Sequence, residues 1–232
     1  MDNIIKKIFL SLGADVCGIA NIDSFSEAPQ NFHPKDIYSN CKSVIVFGKI
    51  IPRGTAYVNP RIIYHHYIDI CKDVLDKIAF SASNEVERIF NAIAVPLPSD
   101  GPYDYWDSDQ REGKGIISMK HAAVLAGLGY IGKNHLLTNS KYGNMLNIGA
   151  VLTNLSLPSD TLVPNMCIDG CSQCIDNCPV GAISEKGVSQ KLCRQYAYET
   201  NSRGFEVTNC NNCRVKCPMA LGEKILTAKK DV

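Results

Sequence analysis

The stretch Cys167-Ile-Asp-Gly-Cys171-Ser-Gln-Cys174-Ile-Asp-Asn-Cys178-Pro179, echoed by Cys210-Asn-Asn-Cys213-Arg-Val-Lys-Cys217-Pro218, decides how this chain is read. Each run has the form Cys-x2-Cys-x3-Cys-Pro. Bacterial two-cluster ferredoxins share it, and there the last cysteine of a run reaches across to the other cluster. Closely spaced thiolates on a tight turn grip three irons of one cubane, and the fourth iron takes a thiolate from elsewhere. On that logic Cys167, Cys171 and Cys174 with Cys217 hold one [4Fe–4S] cluster, and Cys178, Cys193, Cys210 and Cys213 hold the other. The gap from Cys167 to Cys171 is one residue longer than the ferredoxin pattern, so a different arrangement of the first cluster stays open. Two structural zinc sites are the plainer alternative, since zinc also accepts four thiolates, although zinc ribbons use paired Cys-x2-Cys knuckles.

Composition narrows the field around this module. The chain has 232 residues, 24 Lys+Arg against 23 Asp+Glu, a net charge of +1, 45% hydrophobic and 20% charged residues. That profile is globular rather than disordered, and the near-neutral balance argues against a dedicated nucleic-acid binder. No apolar run reaches the ~18 residues of a membrane span. The start, MDNIIKKIFLSLG, reads as a helix and not as a signal peptide, which points to the cytoplasm. There thiols stay reduced, so eight cysteines crowded into the last third speak for metal ligation rather than disulfides. Cys17, Cys41 and Cys71 are expected to pack as small hydrophobes.

Residues 1–160 are long and apolar enough for a domain of their own, and 161–232 for the cluster module. Met1–Leu12 reads as a helix, Ala14–Ala20 as a strand and Ser43–Ile51 as a buried strand. From Arg61 to Asn91, Ile63, Tyr67, Ile70, Val74 and Ile78 recur at helical spacing, with a break expected at Ser81–Asn84. Ala92–Leu97 suits a strand and Ile117–Ala126 a helix stopped by Gly127 or Gly129. His135–Thr138 and Leu146–Leu152 suggest a hairpin across the polar segment NSKYGN. Leu157–Asn165, with two prolines, is the linker. The alternation predicts an α+β or layered α/β class.

The segment Gly127-Leu-Gly129-Tyr130-Ile-Gly132-Lys133-Asn134 contains a formal G-x-G-x-x-G. It follows a helix and precedes a strand, the wrong context for a dinucleotide fold. Its glycines can admit a bulky ligand close to the backbone, with Lys133 and Asn134 offered to polar or phosphate groups. A helix cap followed by a tight turn is the structural alternative. A second candidate is the aromatic, acidic loop Asp100–Asp107. It could close over a planar ligand and bring Tyr103 or Asp104 into proton-transfer reach, or be a surface turn tucked by its aromatics.

SMKHAAVLAGLGYIGKNHLL (118–137), GAVLTNLSLP (149–158), HPKDIYSNCKSVIVFG (33–48) and the two Cys-Pro runs together resemble the epoxyqueuosine reductase family. The likeness spans roughly residues 10–220. It implies a vestigial nitroreductase-like α/β domain on a two-cluster ferredoxin-like module. It also implies base-off cobalamin, reduced by cluster electrons, and an architecture shared with reductive dehalogenases. Carried over by position, Gly127, Gly129, Tyr130, Gly132, Lys133 and Asn134 line the cofactor pocket. No D-x-H-x-x-G motif supplies a lower ligand, in keeping with base-off binding, and His121 and His135 are read as structural.

Two departures bear on activity. The family's V-D-S-type catalytic Asp has no counterpart in Arg111-Glu-Gly-Lys-Gly-Ile-Ile117, where Glu112 is the nearest carboxylate. The family's helical repeats after the clusters have none either, since the sequence ends 15 residues past Cys217, so tRNA is not expected as substrate. No twin-Arg leader marks an exported dehalogenase. The leading expectation is a corrinoid-dependent reductase of a small molecule or a protein-bound corrinoid, fed by a ferredoxin- or flavodoxin-type donor. An electron-transfer protein without corrinoid, or a cluster-fed flavoenzyme holding FMN, are the alternatives. Nitroreductase-like folds are often dimers, which makes a homodimer one assembly to test, although nothing in the sequence marks a self-association surface.

Overall fold

The computed structural model describes residues 1–101 and 104–222. Its centre is a four-stranded antiparallel sheet between two helical layers. In chain order the main elements are α1 (Asp2–Ser11), β1 (Val16–Asn21), β2 (Ser43–Ile50), α2 (Ile62–Phe90), β3 (Ala94–Leu97), α3 (Met119–Leu125) and β4 (Leu146–Thr153). The spatial strand order is β1-β2-β4-β3.

The two inner strands lack polar alternation because both of their faces are covered. Val44 and Val46 of β2, with Ile148, Ala150 and Leu152 of β4, pack on Ala122, Ala123 and Ala126 around α3. Ile45, Phe47 and Val151 point the other way, onto Ile5 and Phe9 of α1 and Leu75, Ile78, Ala82 and Val86 of α2. Each buried branched side chain of this kind stabilises the fold by about 1.5–3 kcal/mol relative to exposure. Gly149 lies opposite Phe47, and a Cβ there would stand 2.6 Å from the Phe47 ring, so the bare glycine is the seat of that ring. Pro96 sits on edge strand β3, where a missing N–H is tolerated.

Three expectations change. The helix from residue 61 to 91 forms, but without a break: Ser83 is buried inside continuous α2. Its buried face is Tyr64, Cys71, Leu75, Ile78, Ala82 and Val86, while Tyr67 and Ile70 are exposed. The large apolar repeat locates the helix, while the small Cys71, Ala79 and Ala82 let α2 lie close on the sheet. Third, Leu137–Thr138 pairs with Tyr130–Ile131 and not with β4. Strand β4 instead lies between β2 and β3. The NSKYGN segment is a local turn, in which Asn139 Oδ1 accepts from the amides of Lys141 and Tyr142 and Asn139 bridges Gly143.

Residues 157–160 run along the outer edge of β1. The Ile19 amide donates to Asp160 Oδ2 at 2.9 Å, the Asp160 amide donates back to Ile19 O at 2.8 Å, and Lys6 pairs with the same carboxylate. The supposed linker is therefore an edge cover, which protects a strand that would otherwise offer unpaired backbone groups. Beyond it, the short helical turns Gln173–Asp176 and Asn212–Val215 pack together, and α4 (Gln190–Ala197) stands between two small hairpins. This cysteine-bearing part docks on the sheet layer through Val215 and Leu221 against Ile51, Tyr64, Cys71 and Met145. Polar clamps flank that contact: Asn211 donates to Ala56 O at 2.9 Å and Asn144 donates to Arg214 O at 3.2 Å.

Candidate metal centre

The eight cysteines of the last third separate in space into two groups of four. Cys167, Cys171, Cys174 and Cys217 line one cavity. Cys171 closes a turn by donating its amide to Ile168 O, with Gly170 in the left-handed region, and Cys174 rides on the turn Gln173–Asp176. Cys217 arrives from the second run, after Asn212–Val215, as a crossing ligand would. Burial pushes the Cys174 and Cys217 thiols up, and the neighbours that add repulsion are only members of their own group. The same holds for the second group. Cys193 is raised by burial and then by Cys210 and Cys178. Cys213 is pushed up to about 11 by burial, with Arg214 lowering it and Cys193, Cys210 and Cys178 raising it. Cys178 Sγ also accepts the Ala182 amide at 3.2 Å. Among the described residues, no three His, Cys, Asp or Glu side chains are arranged around a single metal ion. The all-thiol donor set fits two multi-iron groups, and a cavity lined by the first four thiols stands at one of them.

The loop after α3 connects the sheet layer to both groups. Gly127, at φ +68°, caps α3: its amide reaches Val124 O and the next one reaches Ala123 O. A Cβ on Gly127 would stand 2.5 Å from Thr161 O, and one on Gly129 2.2 Å from Thr138 O. Both bare faces are filled by this chain's own backbone, so neither glycine forms a cradle for a corrin or flavin ring. Tyr130, Gly132, Lys133 and Asn134 line the Cys167 cavity. Lys133 Nζ donates to Cys171 O at 3.0 Å. Asn134, only 5% exposed, donates to Cys213 O at 3.1 Å while its Oδ1 accepts the Leu136 amide. Adjacent residues thus hold one cysteine backbone of each group.

Of the candidate proton donors, Asp104 and Glu112 lie away from the Cys167 cavity. The hairpin Tyr105–Asp107/Glu112–Lys114 docks on α4, where Gly113 and the Gln190 side chain exchange hydrogen bonds of 3.1 and 3.2 Å. Arg194 lies over the Trp106 ring at 5.1 Å. Glu112 pairs with Lys114 at 3.3 Å, Asp104 is exposed, and Tyr103 lies outside the described residues. This hairpin therefore lies on α4, the helix that bears Cys193, and none of its residues lines the Cys167 cavity. His121 bonds Ser118 at 2.6 Å and His135 takes a turn conformation at φ +57°, both structural roles. The sequence reading did not single out Asn144, Asn211 or Arg214. The first two are buried amides that clamp the cysteine-bearing part, and only their partners from distant segments mark them out.

No family model matches the chain. Its curated relatives include the epoxyqueuosine reductase of Bacillus cereus, 30% identical over 120 residues, a match covering 47% of this chain and 31% of that protein. The chain thus spans about a third of the length of the relative it matches. Among solved structures, an epoxyqueuosine reductase with an epoxyqueuosine-modified tRNA stem loop superposes with TM-score 0.68 at 18% identity, covering 94% of this chain and 64% of that one. A reductive dehalogenase, described with a mechanism for B12-dependent dehalogenation, gives TM-score 0.69 at 18% identity, covering 97% of this chain and 33% of that one. The mixed α/β fold is common to all of them. No helix among the described residues is long and apolar enough to cross a membrane.

Proposed function

The chain is a relative of the epoxyqueuosine reductases, and from that premise we propose that it is a cytoplasmic iron–sulfur oxidoreductase with two [4Fe–4S] clusters. In this reading residues 1–160 form a nitroreductase-like domain and 161–232 a ferredoxin-like module. The observation that carries it is the division of eight thiols into two groups of four, joined by one loop that touches both. When bound, the clusters would supply low-potential one-electron transfer. The residues of the chain do the rest: Cys-Pro crossings tie each run to both groups, the Ala182 amide donates to a ligand sulfur, and Lys133 and Asn134 hold the two cysteine loops against the sheet layer. Four thiolates around one zinc at ~2.3 Å would converge on a point. The pairing of two Cys-x2-Cys-x3-Cys-Pro runs, rather than the paired Cys-x2-Cys knuckles of zinc ribbons, supports the larger guest.

A corrinoid is the proposed electron acceptor, supported by the fold shared with a B12-dependent dehalogenase and not by the glycine loop, whose bare faces are already filled. The substrate would be a small molecule or a protein-bound corrinoid. A modified tRNA joins the substrates to be assayed because one fold neighbour holds such a stem loop. The test is anaerobic reconstitution with iron and sulfide, followed by EPR of the reduced protein mixed with cob(II)alamin. Cluster signals with conversion of the cobalamin to its base-off signature are expected. Zinc in place of iron would overturn the cluster reading. Cluster signals with unbound cobalamin would overturn the corrinoid reading, and an acid-released fluorescent flavin would replace it with FMN.

A further inference from the structure

Three of the half-buried cations of this fold face a carboxylate. Lys6 pairs with Asp160, Lys49 with Asp15, and Lys72 with both Asp69 and Asp100. Two others stand beside the cysteine groups without one. Lys133 is half-buried, lines the Cys167 cavity, and has the Cys171 carbonyl as its partner at 3.0 Å. Arg214 is half-buried on the turn that carries Cys213, and its Nη1 is buried with no hydrogen-bond partner. Among the described residues neither makes an ion pair. Burying a charge without compensation is costly, and a folded protein normally supplies a counter-charge. A cubane held by four thiolates is such a counter-charge: it is anionic when oxidised and gains one more negative charge when reduced.

We propose that Lys133 and Arg214 are the counter-charges of the two clusters, one to each, and that each raises the reduction potential of its own cluster. This rests on the cluster reading above. A nearby cation stabilises the more negative, reduced state more than the oxidised state, so the one-electron equilibrium moves toward reduction. The electron comes from the external reductant. Lys133 and Arg214 act through the clusters and are tuning residues, not catalytic ones. The placement is reciprocal: Lys133 comes from the sheet layer to the first group, while Arg214 comes from the second cysteine run and is held there by Asn144.

The experiment is an EPR-monitored dithionite titration of the full chain, reconstituted anaerobically, with iron counted for every variant. Lys133→Met should lower one of the two midpoint potentials by about tenfold in the equilibrium, about 59 mV for one electron. Arg214→Met should lower the other by a similar amount, and the double variant should lower both. Lys133→Arg and Arg214→Lys should keep wild-type potentials. Where Lys133→Met fails to load iron, Lys133→Gln removes the charge and retains a donor for the Cys171 carbonyl. Potentials that do not move, or two variants that move the same cluster, would overturn the assignment. So would charge-removing variants that all lose iron at their own group, which would make the cations assembly elements. A wild-type chain that binds no iron would instead bring down the cluster reading itself, and the iron count separates that case from the others.

Discussion

Burial pushes the Cys17 thiol from an ordinary 9.0 up to about 12, with Lys6 lowering it and Asp160 raising it. The folded state therefore keeps a proton that the unfolded chain loses near pH 9. The stability this contributes is complete below that pH and is lost as pH rises from about 9 to about 12. Cys41 and Cys71 are raised by burial as well, so they act in the same direction. Urea titrations at pH 8 and pH 10.5 should show a loss of unfolding free energy that is smaller in Cys17→Ala than in the wild type. Equal losses in the two proteins would assign the alkaline lability to other groups. Cys17 could be read from the sequence as a packed thiol, because a lone cysteine in an apolar strand has no partner to recruit. Asn134 shows the reverse. It could be singled out as a polar residue after a glycine turn, but its partner, Cys213 O, lies 79 positions away, and only the fold brings them together.

Among the elements, the segment at Asp160 does most to explain why a sheet with an edge strand stays closed. Ile19 is fully buried, and its amide has the Asp160 carboxylate as acceptor. Asp160→Ala would leave that donor unsatisfied and break the pair with Lys6, at a cost of about 1–3 kcal/mol. Asp160→Asn keeps an oxygen for the Ile19 amide and should lose less. Chemical denaturation of the two variants checks the order, and equal losses would mean that the ion pair, not the amide, carries the contact. Element existence was largely legible, as α1, β2, α2 and β4 follow from apolar periodicity. Pairing was not. Leu137–Thr138 and β4 are neighbours in the chain, yet the first pairs back onto Tyr130–Ile131 because the turn Gly132–Leu136 closes locally, with His135 N on Gly132 O at 2.8 Å.

At the scale of the molecule, a sheet layer with its own core carries a cysteine-rich part fastened by a small apolar contact and a few buried amides. The two should respond separately to damage. Cys213→Ala should lose roughly half of the iron, the share of one of two equal clusters, while far-UV dichroism and the thermal transition of the sheet layer persist. Complete loss of tertiary structure in that variant would show that one cooperative unit spans both parts. The sequence by itself determined the two Cys-Pro runs and most of the helices and strands ahead of them. Spacing and periodicity are local properties, and chemistry constrains them directly. Only the tertiary structure decided that Gly127 and Gly129 are closed by Thr161 and Thr138, that the Tyr105–Lys114 hairpin lies on α4, and that Lys133 and Arg214 stand by separate cysteine groups. Those facts depend on which distant segments meet, and contact between distant segments follows from packing the whole chain around one sheet.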